Sequence, residues 1–253
     1  MSADSPVIAK IQRKFRAISG GLFNLKGKKV FAIGLNKTAT SSLHALFLEC
    51  GLDAFHGDYW RDFKANSLII NGYQAFSDGP PKNFIHLCEE FPDSHFILPV
   101  RDLEPWLLSR LGHIKRRKAA GMHRTESYTW NDSLPAIEHW IRDRTFYHAR
   151  VLEYFTHSRT KLLTVDLIRN PDESDMILDF IGLKSESKLP WKNKVASKTE
   201  VPAEHREMIE AAYKNLGISA EERHLNILSP SLLTGEQRRT LAADTGQMAS
   251  RII

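Results

Sequence analysis

The sequence predicts an α/β fold with a mostly parallel central sheet flanked by helices. Three short apolar runs read as buried strands: residues 30–33 (VFAI), 95–100 (HFILPV) and 162–165 (LLTV). Between them lie helix-spaced segments of the length that crossovers need. Polar residues follow each run (the Asn36-Lys37 loop, Arg101-Asp102 and Asp166), as expected of strands whose carboxyl ends meet a ligand.

The chain taken in order justifies each element. Ile8, Ile11, Phe15, Ile18 and Leu22 fall on one helical face, ringed by Lys10, Arg13, Lys14 and Arg16, and Gly20-Gly21 ends the pattern. Such a basic amphipathic segment either packs on its own domain or lies on an anionic membrane surface, a peripheral contact through residues 8–22. After the first strand and a polar loop, residues 43–50 read as a helix closed by Gly51. A short strand in LDAFHGDYW leads to polar His56, Asp58 and Tyr59, and residues 61–72 are expected to be helical. Residues 73–76 form another short strand before the turn Ser77-Asp78-Gly79-Pro80-Pro81. Phe84, Leu87, Cys88 and Phe91 mark a helix, and the strand run from 95 exits into Arg101-Asp102. A long helix begins near Glu104-Pro105, where proline suits a first turn. Residues 113–124 are a basic run, read as a solvated helix end or an anion-attracting lid. Helices are expected over 135–155, 176–183 and 203–216, and the tail beyond 216 reads as looser. The domain plan is a basic N-terminal segment (1–27), an α/β domain (28–200) and a C-terminal helical extension (201–253).

Composition sets the class. The 253 residues are 42% hydrophobic and 26% charged, enough apolar content for one large core. A net charge of +5 favours anionic ligands but is too diffuse to point to nucleic acid. Cys50 and Cys88 sit in apolar helical patterns and read as reduced core thiols. The lack of a membrane-length apolar run or a signal-type stretch predicts a cytoplasmic protein. Oligomeric state is not encoded in any pattern here.

The stretch with the most chemistry is VFAIGLNKTATSSL, residues 30–43. Gly34 breaks the strand; a loop of Asn36, Lys37, Thr38, Ala39, Thr40, Ser41 and Ser42 follows; Leu43, Leu46 and Phe47 then begin a helix. Strand, tight loop and helix N-terminus together gather backbone N–H groups around a tetrahedral anion. Lys37 adds a positive charge, and the hydroxyls of Thr38, Thr40, Ser41 and Ser42 add donors. The alternative is a Ser/Thr-capped helix after a core strand. The spacing is not that of a Walker A loop, and nothing nearby reads as a second strand ending in a magnesium-binding Asp. Loop 34–42, His56 to Asp58, Asp78 and Arg101 all stand at predicted strand carboxyl ends and are expected to converge.

Two motifs together, the lysine-bearing loop and VRDLEPWLLSR at 100–110, resemble the sulfotransferases that use 3′-phosphoadenosine-5′-phosphosulfate (PAPS), specifically a small soluble branch of them. FSDGPPKNFIHLCEEFPDSHFILPVRDLEPW, DFIGL and LPWKNK extend the resemblance over about residues 28 to 195. It implies a three-layer, P-loop-like fold. It also implies that Lys37 through Leu43 hold the 5′-phosphosulfate, and that Arg101, with Ser109 eight residues on, holds the 3′-phosphate. Ala39 stands where that family has glycine, so its backbone is expected to keep a conformation open to alanine. The adenine-stacking aromatic of the steroid and phenol branch is replaced by Leu43, and the branch's C-terminal glycine-containing loop is missing, with Lys194 or Lys198 in its place.

The implied reaction is metal-independent transfer of a sulfuryl group from PAPS to a hydroxyl or amine of a small molecule, lipid or glycan. Lys37 would neutralise charge on the leaving oxygen, a contribution worth about 2.7–4 kcal/mol for a well-placed donor. A base must take the acceptor's proton. Asp78 is the first candidate, His56 the second and Asp58 the third. For His56 the alternative role is a core imidazole bonded to a backbone carbonyl; for Asp78 it is turn capping before Gly79-Pro80. Two other functions fit parts of the pattern: a divergent P-loop kinase for a small substrate, and a catalytically silent nucleotide-binding scaffold.

Overall fold

The strand that feeds the lysine loop is the middle of the sheet. β1 (Val30–Ala32) pairs in parallel with β3 (Ala75–Ser77) on one side and β4 (His95–Pro99) on the other. β2 (Ala54–His56) extends the sheet beyond β3 and β5 (Lys161–Val165) beyond β4, giving the all-parallel order β2-β3-β1-β4-β5. The chain therefore moves to one side of β1 for β2 and β3 and to the other for β4 and β5. The carboxyl end of a strand beside such a reversal is where open parallel sheets take ligands. The α/β class and the parallel sheet predicted from sequence are what the chain forms.

This computed structural model describes residues 28–122, 131–183, 190 and 202–249, and side chains only as far as residue 244. The amphipathic segment at 8–22, Lys194, Lys198 and part of the basic run at 113–124 lie outside the described residues. The chain divides into two compact units: a first that holds the sheet, from residues before 100 and from 159–194, and a second from residues 100–158 and those after 194.

In the first unit α1 (Thr40–Glu49), α2 (Ser67–Gly72), α3 (Phe84–Glu90) and α6 (Glu173–Ile181) accompany the sheet. Strand periodicity sorts the core into two faces. Val30, Ala32, Ala54, Ala75, Ile97 and Val165 point to one face, where Leu43, Leu46 and Phe47 of α1 and Ile177 and Leu178 of α6 cover them. Phe31 points to the other and stacks on Phe76 at 5.2 Å between ring centroids, with Phe96 at 5.1 Å, Phe91 at 5.8 Å and Trp60 at 6.1 Å. Register explains this aromatic layer: Phe31 lies opposite Phe76 on one neighbour and Phe96 on the other. Lys29 seals its edge. Its side chain is buried, Nζ donates to the Tyr73 carbonyl at 2.7 Å, and the ammonium stands 5.6 Å and 5.9 Å from the Phe91 and Phe76 centroids.

In the second unit α4 (Leu103–Ala119), α5 (Leu134–His157), α7 (Ala203–Leu216) and α8 (Gly235–Ala249) form a helical assembly. Buried Ile137, Ile141, Arg144, Thr145, His148 and Val151 run down one face of α5 at three- and four-residue steps. α5 packs on α7 and α8 along this unit.

Two expectations need correction. Residues 61–72 are not one helix: a 3-10 turn at Tyr59–Arg61 is followed by turns, and α2 begins only at Ser67. Asp62 is the cause, because its carboxylate accepts the Ala65 N–H at 3.3 Å and pairs with Lys82 Nζ at 2.6 Å, while its carbonyl takes Asn66 Nδ2 at 3.1 Å. The tail beyond 216 is not loose; it contains two 3-10 turns and the fifteen-residue α8. Cys50 and Cys88 form no disulfide; Cys88 is buried and Cys50 half-buried. No helix among the described residues is long and apolar enough to cross a membrane.

Candidate active site

The loop after β1 is built on backbone that few residues adopt. Lys37 (φ 74°) and Ala39 (φ 65°) both stand in the left-handed region, each at a cost of about 1–2 kcal/mol for a residue with a Cβ. The expectation that Ala39 would keep a conformation open to alanine is wrong; it takes the one that glycine prefers. Thr38 is buried and its hydroxyl donates to the Leu35 carbonyl at 2.6 Å, closing the loop on itself. Gly34 allows the strand to leave beside β4, since a Cβ there would overlap the Pro99 carbonyl and ring.

These turns deliver the chain into α1 with Ala39 as N-cap, and an alanine has no side chain to cap with. The first helical bond is Leu43 N–H to the Ala39 carbonyl at 3.0 Å, so the amides of Thr40, Ser41 and Ser42 precede the helix's own ladder. A Ser/Thr-capped helix, the structural alternative, is therefore not what forms. By contrast α3 caps itself: Asn83 Oδ1 accepts from the Ile85 and His86 amides at 3.1 and 3.3 Å. Asn36, Lys37, Thr38, Ala39, Thr40, Ser41 and Ser42 thus share one tight loop and helix start with the positive helix end in its midst.

The carboxyl ends of β2 and β3 bring the base candidates to this loop. His56 closes β2; its Nδ1 is hydrogen-bonded to Ser77 Oγ at 2.9 Å, and its Nε2 lies 3.4 Å from Ser41 Oγ of α1. His56 is therefore no core imidazole bonded to a carbonyl; it bridges β3 to the anion loop. Its ring stacks on His44 at 5.1 Å. Asp78 follows β3 with φ 96°, and its Oδ1 is 3.9 Å from His56 Nε2. About a quarter of the His56 side chain and a third of Asp78 remain exposed, so both can meet a substrate. Burial pushes the His56 imidazole below its ordinary 6.5, Asp78 opposes that shift and Arg61 adds to it. A neutral imidazole at neutral pH can accept a proton. Asp58, the third candidate, is exposed at the start of the 3-10 turn.

Two contributors, Arg61 and Trp60, are not among the sequence's site candidates, and a third, Asn36, is. Arg61 Nε donates to the Asp78 carbonyl at 2.7 Å, and its Nη2 lies 3.6 Å from Asp78 Oδ2. Trp60 Nε1 donates to the Ser77 carbonyl at 2.7 Å from a fully buried ring. Asn36 Oδ1 lies against Gly79 so closely that a Cβ there would overlap it. The Ser-Asp-Gly turn chemistry around 77–79 and the place of Asn36 in the loop are readable in advance.

A model of the sulfotransferase domain matches residues 29–165, which include the anion loop, the base candidates and the Arg101 motif. The chain belongs to that family. No curated protein matches the chain. Its class of chemistry is accordingly sulfuryl transfer, and the chain is a transferase by family.

Within the sulfotransferase domain, Arg101 and Ser109 lie in the second unit, Ser109 on α4 and both half-buried. The Arg101 backbone is anchored there: buried Arg144 donates Nη2 to the carbonyls of Arg101 and Asn226 at 2.7 and 2.6 Å, and packs on Trp106 at 5.4 Å. In the first unit the fold brings together Asn36 through Ser42, His56 and Asp78. Among the described residues no group of three or more His, Cys, Asp or Glu is arranged to hold a metal ion.

Proposed function

We propose that this sulfotransferase domain moves a sulfuryl group from PAPS to a hydroxyl or amine acceptor. The observation that supports it most is the α1 N-terminus, which no side chain caps and which strained, lysine-bearing backbone presents beside His56 and Asp78. Such an end suits a phosphosulfate, whose oxygens accept amide N–H groups. Strained backbone of this kind persists where surrounding structure fixes it, commonly at functional sites.

Each residue then has a task. The amides before Leu43 and the hydroxyls of Thr38, Thr40, Ser41 and Ser42 would orient the 5′-phosphosulfate. Lys37 would offset charge on the departing bridging oxygen. Arg101 and Ser109 are assigned the 3′-phosphate, Arg101 for its fork geometry, and Lys194 contact with the nucleotide. PAPS supplies the sulfuryl group: the acceptor oxygen or nitrogen bonds to sulfur, the bond to the bridging phosphate oxygen breaks, and 3′-phosphoadenosine-5′-phosphate (PAP) takes the electron pair. Asp78 or His56 accepts the acceptor's proton. The acceptor is a small molecule, lipid or glycan, and residues 8–22 give a route to a membrane-borne one. The protein is expected to act in the cytoplasm.

Calorimetry with PAP tests the donor half. Binding is expected in the wild type, and Lys37→Ala and Arg101→Ala should each lower transfer from PAPS by ~100-fold or more across an acceptor panel. No binding of PAP at millimolar concentration ends this proposal. The scaffold alternative retains the missing adenine-stacking aromatic in its favour; PAP binding without turnover on any acceptor would support it.

A further inference from the structure

We propose that Arg61 is the positioning residue of the acceptor side, holding the Asp78 turn against both His56 and the anion loop. Three contacts converge on it. Its Nε donates to the Asp78 carbonyl at 2.7 Å, which fixes the backbone of a residue at φ 96°. Its Nη2 lies 3.6 Å from Asp78 Oδ2, leaving Oδ1 directed at His56 Nε2, 3.9 Å away. Its guanidinium also abuts Gly79, where an added Cβ would sit 3.1 Å from Arg61 Cζ and overlap Asn36 Oδ1. Gly79 is thus the point at which Arg61 and the anion loop close on the same turn.

Arg61 ends a 3-10 turn whose neighbour, Trp60, is buried and bonded to the Ser77 carbonyl. Its own carbonyl accepts the Lys82 N–H at 2.8 Å, so backbone on both sides of the guanidinium is fixed. A non-glycine residue at positive φ is strained and persists there only where the surrounding structure fixes it. The carbonyl of Asp78 is the atom that reorients if the turn relaxes, and Arg61 holds that atom. A lysine can supply charge near the carboxylate but lacks the forked geometry that also reaches the carbonyl.

This inference extends the sulfuryl-transfer reading, yet its test does not depend on that reading. The full-length protein is labelled for histidine ring NMR and the titration midpoint of His56 is followed in four forms: wild type, Asp78→Asn, Arg61→Lys and the double variant. The groups facing His56 are Ser41 and His44 of α1, Ser77 and Asp78 after β3, and Arg61. In the wild-type background Asp78→Asn should lower the midpoint. In the Arg61→Lys background the positive charge remains but the carbonyl anchor is gone, and the same substitution should shift the midpoint by less than about half as much. An equal shift in both backgrounds overturns the proposal. Arg61→Gln repeats the cycle should the lysine variant fold poorly, with the same two outcomes. PAP calorimetry on the wild type reports separately on the donor site, so failure there is not mistaken for failure here.

Discussion

At the scale of single residues, the loop after β1 departs from conformational preference at Lys37 and Ala39. Ala39 occupies φ 65° and ψ 22° at the N-cap of α1, a position where Ser, Thr, Asp or Asn would bond the helix's own amides. An alanine held in a strained conformation is poor for stability, and it leaves the helix start without a side-chain cap. Ala39→Gly should therefore raise stability by about 0.5–1 kcal/mol in urea denaturation, the relieved strain exceeding the entropy that glycine adds to the unfolded chain. PAP binding should survive the change, because the backbone path is unaltered. The lysine, the hydroxyls and the Ser-Asp-Gly turn could be read directly from residue order, as could the candidacy of His56 and Asp78. What could not be read is the sign of φ at residues 37, 39 and 78. Nor could Arg61 be read, because a single arginine between a strand and a short helix looks the same whether it grips a carbonyl or faces water.

At the scale of elements, long periodic segments were legible and short ones were not. The span 203–216 coincides with α7, and 135–155 lies within α5, since helices of that length carry several turns of apolar spacing. The 61–72 segment failed because one carboxylate, Asp62, offers local bonds that outcompete a helix's first turns. α5 also illustrates what buried polar side chains do. Arg144 ties α5 to the carbonyls of Arg101 and Asn226, whereas both ring nitrogens of His148, one turn on, lie buried without a hydrogen-bond partner among the described residues. Burial and the neighbouring Arg144 push His148 well below its ordinary range, so it is neutral. His148→Leu should stabilise the protein by about 1 kcal/mol, and Arg144→Met should destabilise it by about 2–4 kcal/mol, because the first removes unsatisfied polar atoms and the second a donor shared by two carbonyls. Thermal melts of both variants check the opposite signs. Arg144→Met should in addition weaken PAP binding, since Arg101 loses its backbone anchor.

At the scale of the whole molecule, the parallel sheet and its strand order decide where chemistry can occur. The predicted strands all sit in that sheet, and the loops after β1, β2 and β3 emerge at one end of it as the crossover rule requires. The opposite end holds Lys29 beside the aromatic layer, and burial lowers its ammonium from 10.5 to about 8. The unfolded chain then binds more protons than the folded one between those two values. Stability from this group is depressed below pH 8 and rises as pH climbs from 8 towards 10.5. Urea midpoints over that range should show the rise in the wild type and a flatter course in Lys29→Met. A parallel course in the two proteins would mean that the ammonium is solvated after all.

The measurement that bears most directly on the central claim is a crystal structure with PAP bound. The account predicts the 5′-phosphate at the start of α1, within hydrogen-bond reach of Lys37 Nζ and of the amides between Ala39 and Leu43. A nucleotide seated elsewhere, with its phosphates away from Lys37 and that helix start, would contradict it.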